Sequence, residues 1–163
     1  MRCGVRMNIV GYTEISYTEG PGIRTALWVS GCPHACPGCF NQAFWSKDKG
    51  REFTEEDLQK VLSDLDNESV CGISLLGGEP LATYNEPGII DLMRRIKEKF
   101  GDKKTILVYT GFTFEHISSD VLKLADIVID GKYVKDLPTK KPFRGSDNQR
   151  MFKKVAGGWV QVD

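Results

Sequence analysis

Gly72-Ile73-Ser74-Leu75-Leu76-Gly77-Gly78-Glu79-Pro80 is a short, nearly unbroken apolar run that stops on a pair of glycines. A run of that length, ended by a glycine turn, is the pattern of a strand covered on both faces. On its amino-terminal side Leu58, Val61, Leu62 and Leu65 recur at i, i+3, i+4 and i+7, one buried helix face, and Thr54 with Asp57 three places on forms a weaker version of the capping box. On its carboxyl-terminal side Asn85 reads as the N-cap of a second helix with Pro87 in the first turn. Ile89, Met93, Ile96 and Phe100 are the inner stripe of that helix, and Gly101 is its stop. Farther out the alternation repeats. Thr25 to Ser30, Thr105 to Tyr109 and Ile127 to Asp130 are further strands, and Thr113 to Leu124 is helical in part, with a break or cap at Ser118-Ser119. Met151 to Val162 holds one more strand or a hairpin. Strands alternating with helices predict an α/β fold around a parallel sheet buried on both faces.

The 163 residues suit one domain, 1–163, with no linker, repeat or low-complexity stretch to divide them. A composition of 40% hydrophobic and 27% charged residues is enough to bury a core. No apolar run approaches the roughly 18 residues of a membrane helix, and Met1 to Val10 lacks a signal-peptide core. A membrane protein, a secreted disulfide scaffold and a disordered chain are all disfavoured. The zero net charge averages unlike parts: residues 1–130 carry −5, residues 131–154 carry +6, and Asp163 closes the sum. Either the basic end docks an acidic partner, with Lys140, Lys141 and Arg144 as candidates, or it is an ordinary solvated face.

Five cysteines, an odd number, make a poor disulfide framework. Three of them crowd into Cys32-Pro33-His34-Ala35-Cys36-Pro37-Gly38-Cys39, a C-x3-C-x2-C loop directly after a strand. Two prolines and a glycine keep the loop from being a regular helix, so its three sulfurs can curl around one centre, best suited to a reducing cytoplasm. Three thiolates are one short of a closed zinc or cubane site. Either His34, His116, Cys3 or Cys71 supplies a fourth ligand, as in a zinc knot, or the fourth metal position is open to an exogenous ligand. Cys71 otherwise reads as a small buried hydrophobe, Cys3 as part of a frayed terminus, and the two histidines as ordinary surface or packed residues. The loops after the four strands, Gly31–Cys39, Gly77–Pro80, Thr110–Gly111 and Gly131–Lys132, converge on the carboxyl edge of the sheet, where ligands of parallel α/β folds sit. A zinc-stabilised nucleic-acid module is the rival reading, with Tyr133, Phe143 and Phe152 as stacking platforms in the basic segment. The basic excess is local and no binding-module pattern appears, so no nucleic acid and no membrane are expected as partners.

The C-x3-C-x2-C loop resembles the cluster motif of radical S-adenosylmethionine enzymes, and Gly77-Gly78-Glu79-Pro80 resembles their GGEP motif at the end of the next strand. The resemblance implies that Cys32, Cys36 and Cys39 hold three irons of a [4Fe–4S] cluster, while S-adenosylmethionine chelates the fourth. Gly77, Gly78 and Glu79 would then bind its amino end, and Gly38, Cys39 and Phe40 would touch its adenosyl part. Gly38 stands where most of the superfamily has an aromatic residue. Thr110, Asp130 and Lys132, at the ends of the third and fourth strands, could reach ribose or carboxylate.

Glu19-Gly20-Pro21-Gly22-Ile23-Arg24-Thr25 resembles a segment of glycyl-radical-enzyme activases. Asn41, Trp45, Thr110-Gly111-Phe112, Asp130-Gly131-Lys132-Tyr133 and Arg144-Gly145-Ser146-Asp147-Asn148-Gln149 resemble the activating proteins of anaerobic (class III) ribonucleoside-triphosphate reductases. That family implies one electron from a flavodoxin-like donor, reductive cleavage of S-adenosylmethionine, and a hydrogen atom taken from a glycine of the large reductase subunit. No general acid or base is needed. Another radical enzyme, a different glycyl-radical activase or one acting on a small molecule, is the nearer alternative. Because a closed α/β barrel takes roughly 200 residues or more, the expected architecture is a partial, open (βα) barrel of mainly parallel strands.

Overall fold

A computed structural model describes residues 6–162. They form an α/β fold with one eight-stranded sheet: β1 (Asn8–Ser16), β2 (Arg24–Val29), β3 (Arg51–Glu52), β4 (Gly72–Gly77), β5 (Thr105–Tyr109), β6 (Ile127–Asp130), β7 (Arg150–Val155) and β8 (Gly158–Val162). The helices are α1 (Glu55–Leu65), α2 (Glu86–Phe100) and α3 (Ser119–Leu124). The spatial order is β3-β1-β2-β4-β5-β6-β7-β8. Its centre, β2-β4-β5-β6, is parallel and follows the chain order, each crossover carrying one helix. Both flanks are antiparallel. The sheet is therefore mixed, not mainly parallel: of the pairings among the described residues, only the three central ones are parallel.

Side-chain alternation divides the sheet into two faces. Leu27, Val29, Ile73, Leu75, Ile106, Val108 and Val128 pack with the inner stripes of α1, α2 and α3 in one continuous core. Leu107, Ile127, Ile129 and Met151 form a smaller cluster, joined by Tyr109, Phe143 and Val162. On this second side the segment at Glu19–Gly20 lies close over the strands, its Glu19 carbonyl accepting a hydrogen bond from Ser74 Oγ.

The helices start as their sequences direct. Thr54 and Asp57 form a full reciprocal capping box at α1. Ser118 caps α3, accepting a hydrogen bond from the Val121 N–H. Asn85 differs from expectation: its side chain does not cap α2, and its amide donates instead to the carbonyls of Ser30 and Glu79, each at 2.9 Å. It ties the loop after β2 to the loop after β4. Residues 150–162 form the hairpin β7–β8, turning at Ala156-Gly157.

Candidate active site

The loops that leave the ends of the four parallel strands wall a cavity of about 270 Å³. Leu76, Tyr109 and Ile129 contribute to it from the sheet face opposite the helices. A second, shallower hollow of about 650 Å³ adjoins it and shares His34, Gly111, Gly131 and Lys132.

Cys32, Cys36 and Cys39 all line the first cavity, half-buried and with free thiols. Their loop is tied at its entrance, where the Gly31 and Cys32 N–H groups donate to the Phe44 and Trp45 carbonyls at 2.7 and 3.0 Å. Ala35 at φ +48° and Gly38 at φ +74° turn it through left-handed backbone. Burial pushes the Cys32 thiol above its ordinary range, and the backbone N–H groups of His34 and Ala35 act against that rise. The Asn41 N–H donates to Cys39 Sγ at 3.4 Å. Among the described residues no three Cys, His, Asp or Glu side chains converge as tightly as a single metal ion requires. The sulfurs instead line one shared cavity. Soft thiol donors with N–H groups aimed at sulfur fit an iron–sulfur cluster.

The other expected fourth ligands are placed elsewhere. Cys71 precedes the first residue of β4, while the site lies beyond its last, Gly77, a separation of about 20 Å along an extended strand. It is exposed rather than buried, because β4 begins only after it, and its Sγ lies 3.4 Å from an Arg24 guanidinium nitrogen. His116 is paired with Thr113 in a short turn and does not line the cavity. Cys3 lies outside the described residues.

Glu79 is only 1% exposed, and its carboxylate is saturated. Oε1 accepts from the Gly111 N–H at 2.7 Å and faces His34 Nε2 at 2.6 Å, while Oε2 accepts from the Leu81 N–H at 2.9 Å and Thr110 Oγ1 at 2.8 Å. Four partners fill the acceptor sites of a carboxylate. Gly77 and Gly78 serve the backbone rather than ligand approach alone. A Cβ on Gly77 would lie 2.3 Å from the Val29 carbonyl oxygen, and one on Gly78 2.5 Å from that of Gly31. The Gly77 carbonyl accepts from the Asn41 amide at 2.9 Å.

Thr110 lines the cavity, and its hydroxyl donates to Glu79 Oε2. Asp130 is buried, accepting from the Phe114 N–H at 2.7 Å and from Arg150 at 2.6 Å. Lys132 is exposed and lines both hollows. Gly38 packs against the Lys135 side chain, and Phe40, 78% exposed, rests its ring 5.0 Å from that of Tyr133 at the rim. Sequence reasoning gave Tyr109 and Asn41 no position in the cavity, although the alternation of β5 puts Tyr109 on the same face as Leu107.

The basic segment proves to be a wall of the site. Gln149 accepts from the Gly145 and Ser146 N–H groups and donates to the Gly131 carbonyl, while Asn148 donates to that of Lys132. Arg144 is buried, its guanidinium donating to the Pro142 and Val162 carbonyls, so it is no docking cation. Phe143 packs into the smaller core and Phe152 stacks on Phe114 at 4.1 Å between centroids. Those rings are structural, not platforms for bases.

Comparison with known proteins agrees with this geometry. Residues 18–152 match the family described as "4Fe-4S single cluster domain". The chain is 42% identical over 154 residues, 94% of its own length and 98% of the relative's, to an anaerobic ribonucleoside-triphosphate reductase-activating protein of Enterobacteria phage T4. It is 40% identical to the protein of that name from Salmonella typhi, covering 85% of this chain and 93% of the relative. For the one from Escherichia coli (strain K12) the identity is 38%, covering 88% and 96%.

Proposed function

Because the chain belongs to the 4Fe-4S single cluster domain family, within the group of anaerobic ribonucleoside-triphosphate reductase-activating proteins, we propose that it is a radical S-adenosylmethionine activase that installs a glycyl radical on the large subunit of such a reductase. One observation carries the reading: three free cysteine sulfurs and the Gly77-Gly78-Glu79 loop line the same cavity, at the carboxyl edge of the sheet's parallel centre. Cys32, Cys36 and Cys39 would hold a [4Fe–4S] cluster there, and the chemistry it would supply is one-electron reduction of S-adenosylmethionine.

The residues divide the remaining work. Cys32, Cys36 and Cys39 hold the cluster, and the N–H groups of His34, Ala35 and Asn41 support the sulfurs. Strand-end carbonyls at Gly77 and Gly78 receive the ammonium of S-adenosylmethionine, with Glu79 holding their loop. Backbone at Gly38, Cys39 and Phe40 meets the adenosyl part, and Lys132 faces the carboxylate. Thr110 and Asp130 act from behind, through Glu79 and Arg150. Tyr109 and Ile129 keep water from the reacting end. The whole chain, 1–163, works as one unit, and the sheet acts as the open part of a (βα) barrel whose free side admits a glycine loop. The electron comes from a flavodoxin-like donor in the cytoplasm.

Anaerobic reconstitution with iron and sulfide, followed by reduction with S-adenosylmethionine and the reductase large subunit, tests this. A glycyl-radical doublet in the electron paramagnetic resonance spectrum is expected, and its loss in C32A, C36A and C39A. A protein that binds zinc but no four-iron cluster, or cleaves the cofactor without radical transfer, would overturn it.

A further inference from the structure

We propose that His34 is a positioning residue: its imidazole is a latch that locks the middle of the cysteine loop onto the buried Glu79 and so sets where the three sulfurs stand. The inference rests on the cluster reading above and adds to it, since that reading needs only the sulfurs. Between the loop's tied ends, one backbone–backbone hydrogen bond closes within it among the described residues, from the Cys39 N–H to the Cys36 carbonyl at 3.1 Å, while the His34 and Ala35 N–H groups turn to the Cys32 sulfur. Ala35, the residue after His34, holds left-handed backbone at φ +48°, a conformation that is unfavourable for a non-glycine residue and persists only where the surroundings impose it.

Three independent features are shaped around the ring. Nε2 lies 2.6 Å from Glu79 Oε1, with the two side chains 6% and 1% exposed. Phe112 meets the imidazole edge to face, centroids 4.6 Å apart. Gly111 supplies the third. A Cβ there would stand 2.5 Å from His34 Cδ2, and the backbone of Gly111 is not left-handed. Glycine is needed at 111 to leave room for the imidazole, not for its own conformation. Glu79 completes the device, since the same oxygen that meets His34 also accepts the Gly111 N–H, and the other binds Leu81 and Thr110. The cysteine loop, the loop after β4 and the loop after β5 are thereby joined at one carboxylate, which has no acceptor site left for a ligand's ammonium.

The test uses H34A, H34Q, G111A and the double variant H34A/G111A, in the full chain. Iron retained after anaerobic reconstitution and desalting is measured, together with the change S-adenosylmethionine makes to the spectrum of the reduced cluster. Supporting groups around metal sites typically contribute about 10- to 100-fold in affinity. H34A and G111A are each expected to lower cluster affinity about tenfold and to broaden or abolish the spectral change, with H34Q restoring both by donating to Glu79 through its amide. G111A is expected to add nothing to H34A, because the missing ring leaves space for the methyl. Wild-type iron retention and spectra in H34A would overturn the latch, and so would losses that multiply in the double variant. E79Q that weakens S-adenosylmethionine binding with full iron retention would also overturn it, by giving Glu79 to the ligand. If wild-type protein itself held no four-iron cluster, the functional reading would fail instead, a result distinct from all of these.

Discussion

Thr110 shows how much of the site depends on bonds between its own side chains. Its hydroxyl donates to Glu79 Oε2 at 2.8 Å and accepts from the Phe112 N–H at 3.1 Å, inside a region where Glu79 is cut off from water. Thr110→Val removes both bonds and keeps the shape, so urea unfolding should register a loss of about 1–3 kcal/mol. Thr110→Ser keeps both and loses one methyl, about 0.8 kcal/mol. An unchanged stability in Thr110→Val would show that the hydroxyl contributes nothing. Gly78→Ala is a harsher change, because its Cβ would press on two carbonyl oxygens, those of Gly31 at 2.5 Å and Val29 at 2.7 Å. Neither can swing aside as a side chain would, and a loss of about 1–3 kcal/mol, read by the same unfolding, is expected. At this scale the sequence disclosed the cysteines and the glycine pair, which carry recognisable spacing. It did not disclose that Thr110 reaches Glu79, Asp130 the Phe114 N–H and Asn85 the Ser30 carbonyl, because these bonds span 31, 16 and 55 residues and no local pattern marks them.

The elements repeat the lesson with different causes. α1 was legible to its cap, since a capping box is a contact between residues three apart. β1 was not: Asn8–Ser16 is only partly buried, with polar residues and Gly11 interrupting the run. Gly11 lies against the Trp28 ring on β2, a contact only the pairing reveals. The α1 cap supports a pH prediction. Arg51 first, then the Thr54 backbone and hydroxyl, hold the Asp57 carboxyl down to about 2. A carboxyl lowered on folding stabilises the fold above its unfolded value near 4 and ceases to do so as pH falls through 2. Asp57→Ala should therefore cost about 1 kcal/mol at neutral pH, with the gap to wild type closing between about pH 4 and pH 2. Thermal unfolding at a series of pH values reads this directly, and a gap independent of pH would assign the loss to packing alone.

At the scale of the molecule, two asymmetries coincide. The helices cover one face of the sheet and the cavity opens on the other side. The positive charge lies in residues 131–154, which wall that cavity, while the rest of the chain is acidic. Not every cation there is available to a partner. Arg144 is buried, Arg150 is held by Asp130 and Glu115, and Lys141 pairs with Asp147. Lys132, Lys135 and Lys140 are exposed, the first on the cavity itself and the second against Gly38 of the cysteine loop. Charge at the mouth would steer an acidic surface so that its glycine loop arrives at the cavity. Reversing these three lysines to glutamate should weaken binding of the reductase large subunit roughly tenfold at low salt, since exposed pairs contribute about 0.2–1 kcal/mol each. The difference should fade as salt rises. Arg144→Glu should behave oppositely, lowering the unfolding temperature by burying an unpaired charge before any effect on affinity is seen. Calorimetric titration of each variant at two ionic strengths separates the outcomes. Affinity insensitive both to salt and to the triple reversal would assign docking to the exposed apolar rim at Phe40, where Phe40→Ala should then carry the loss.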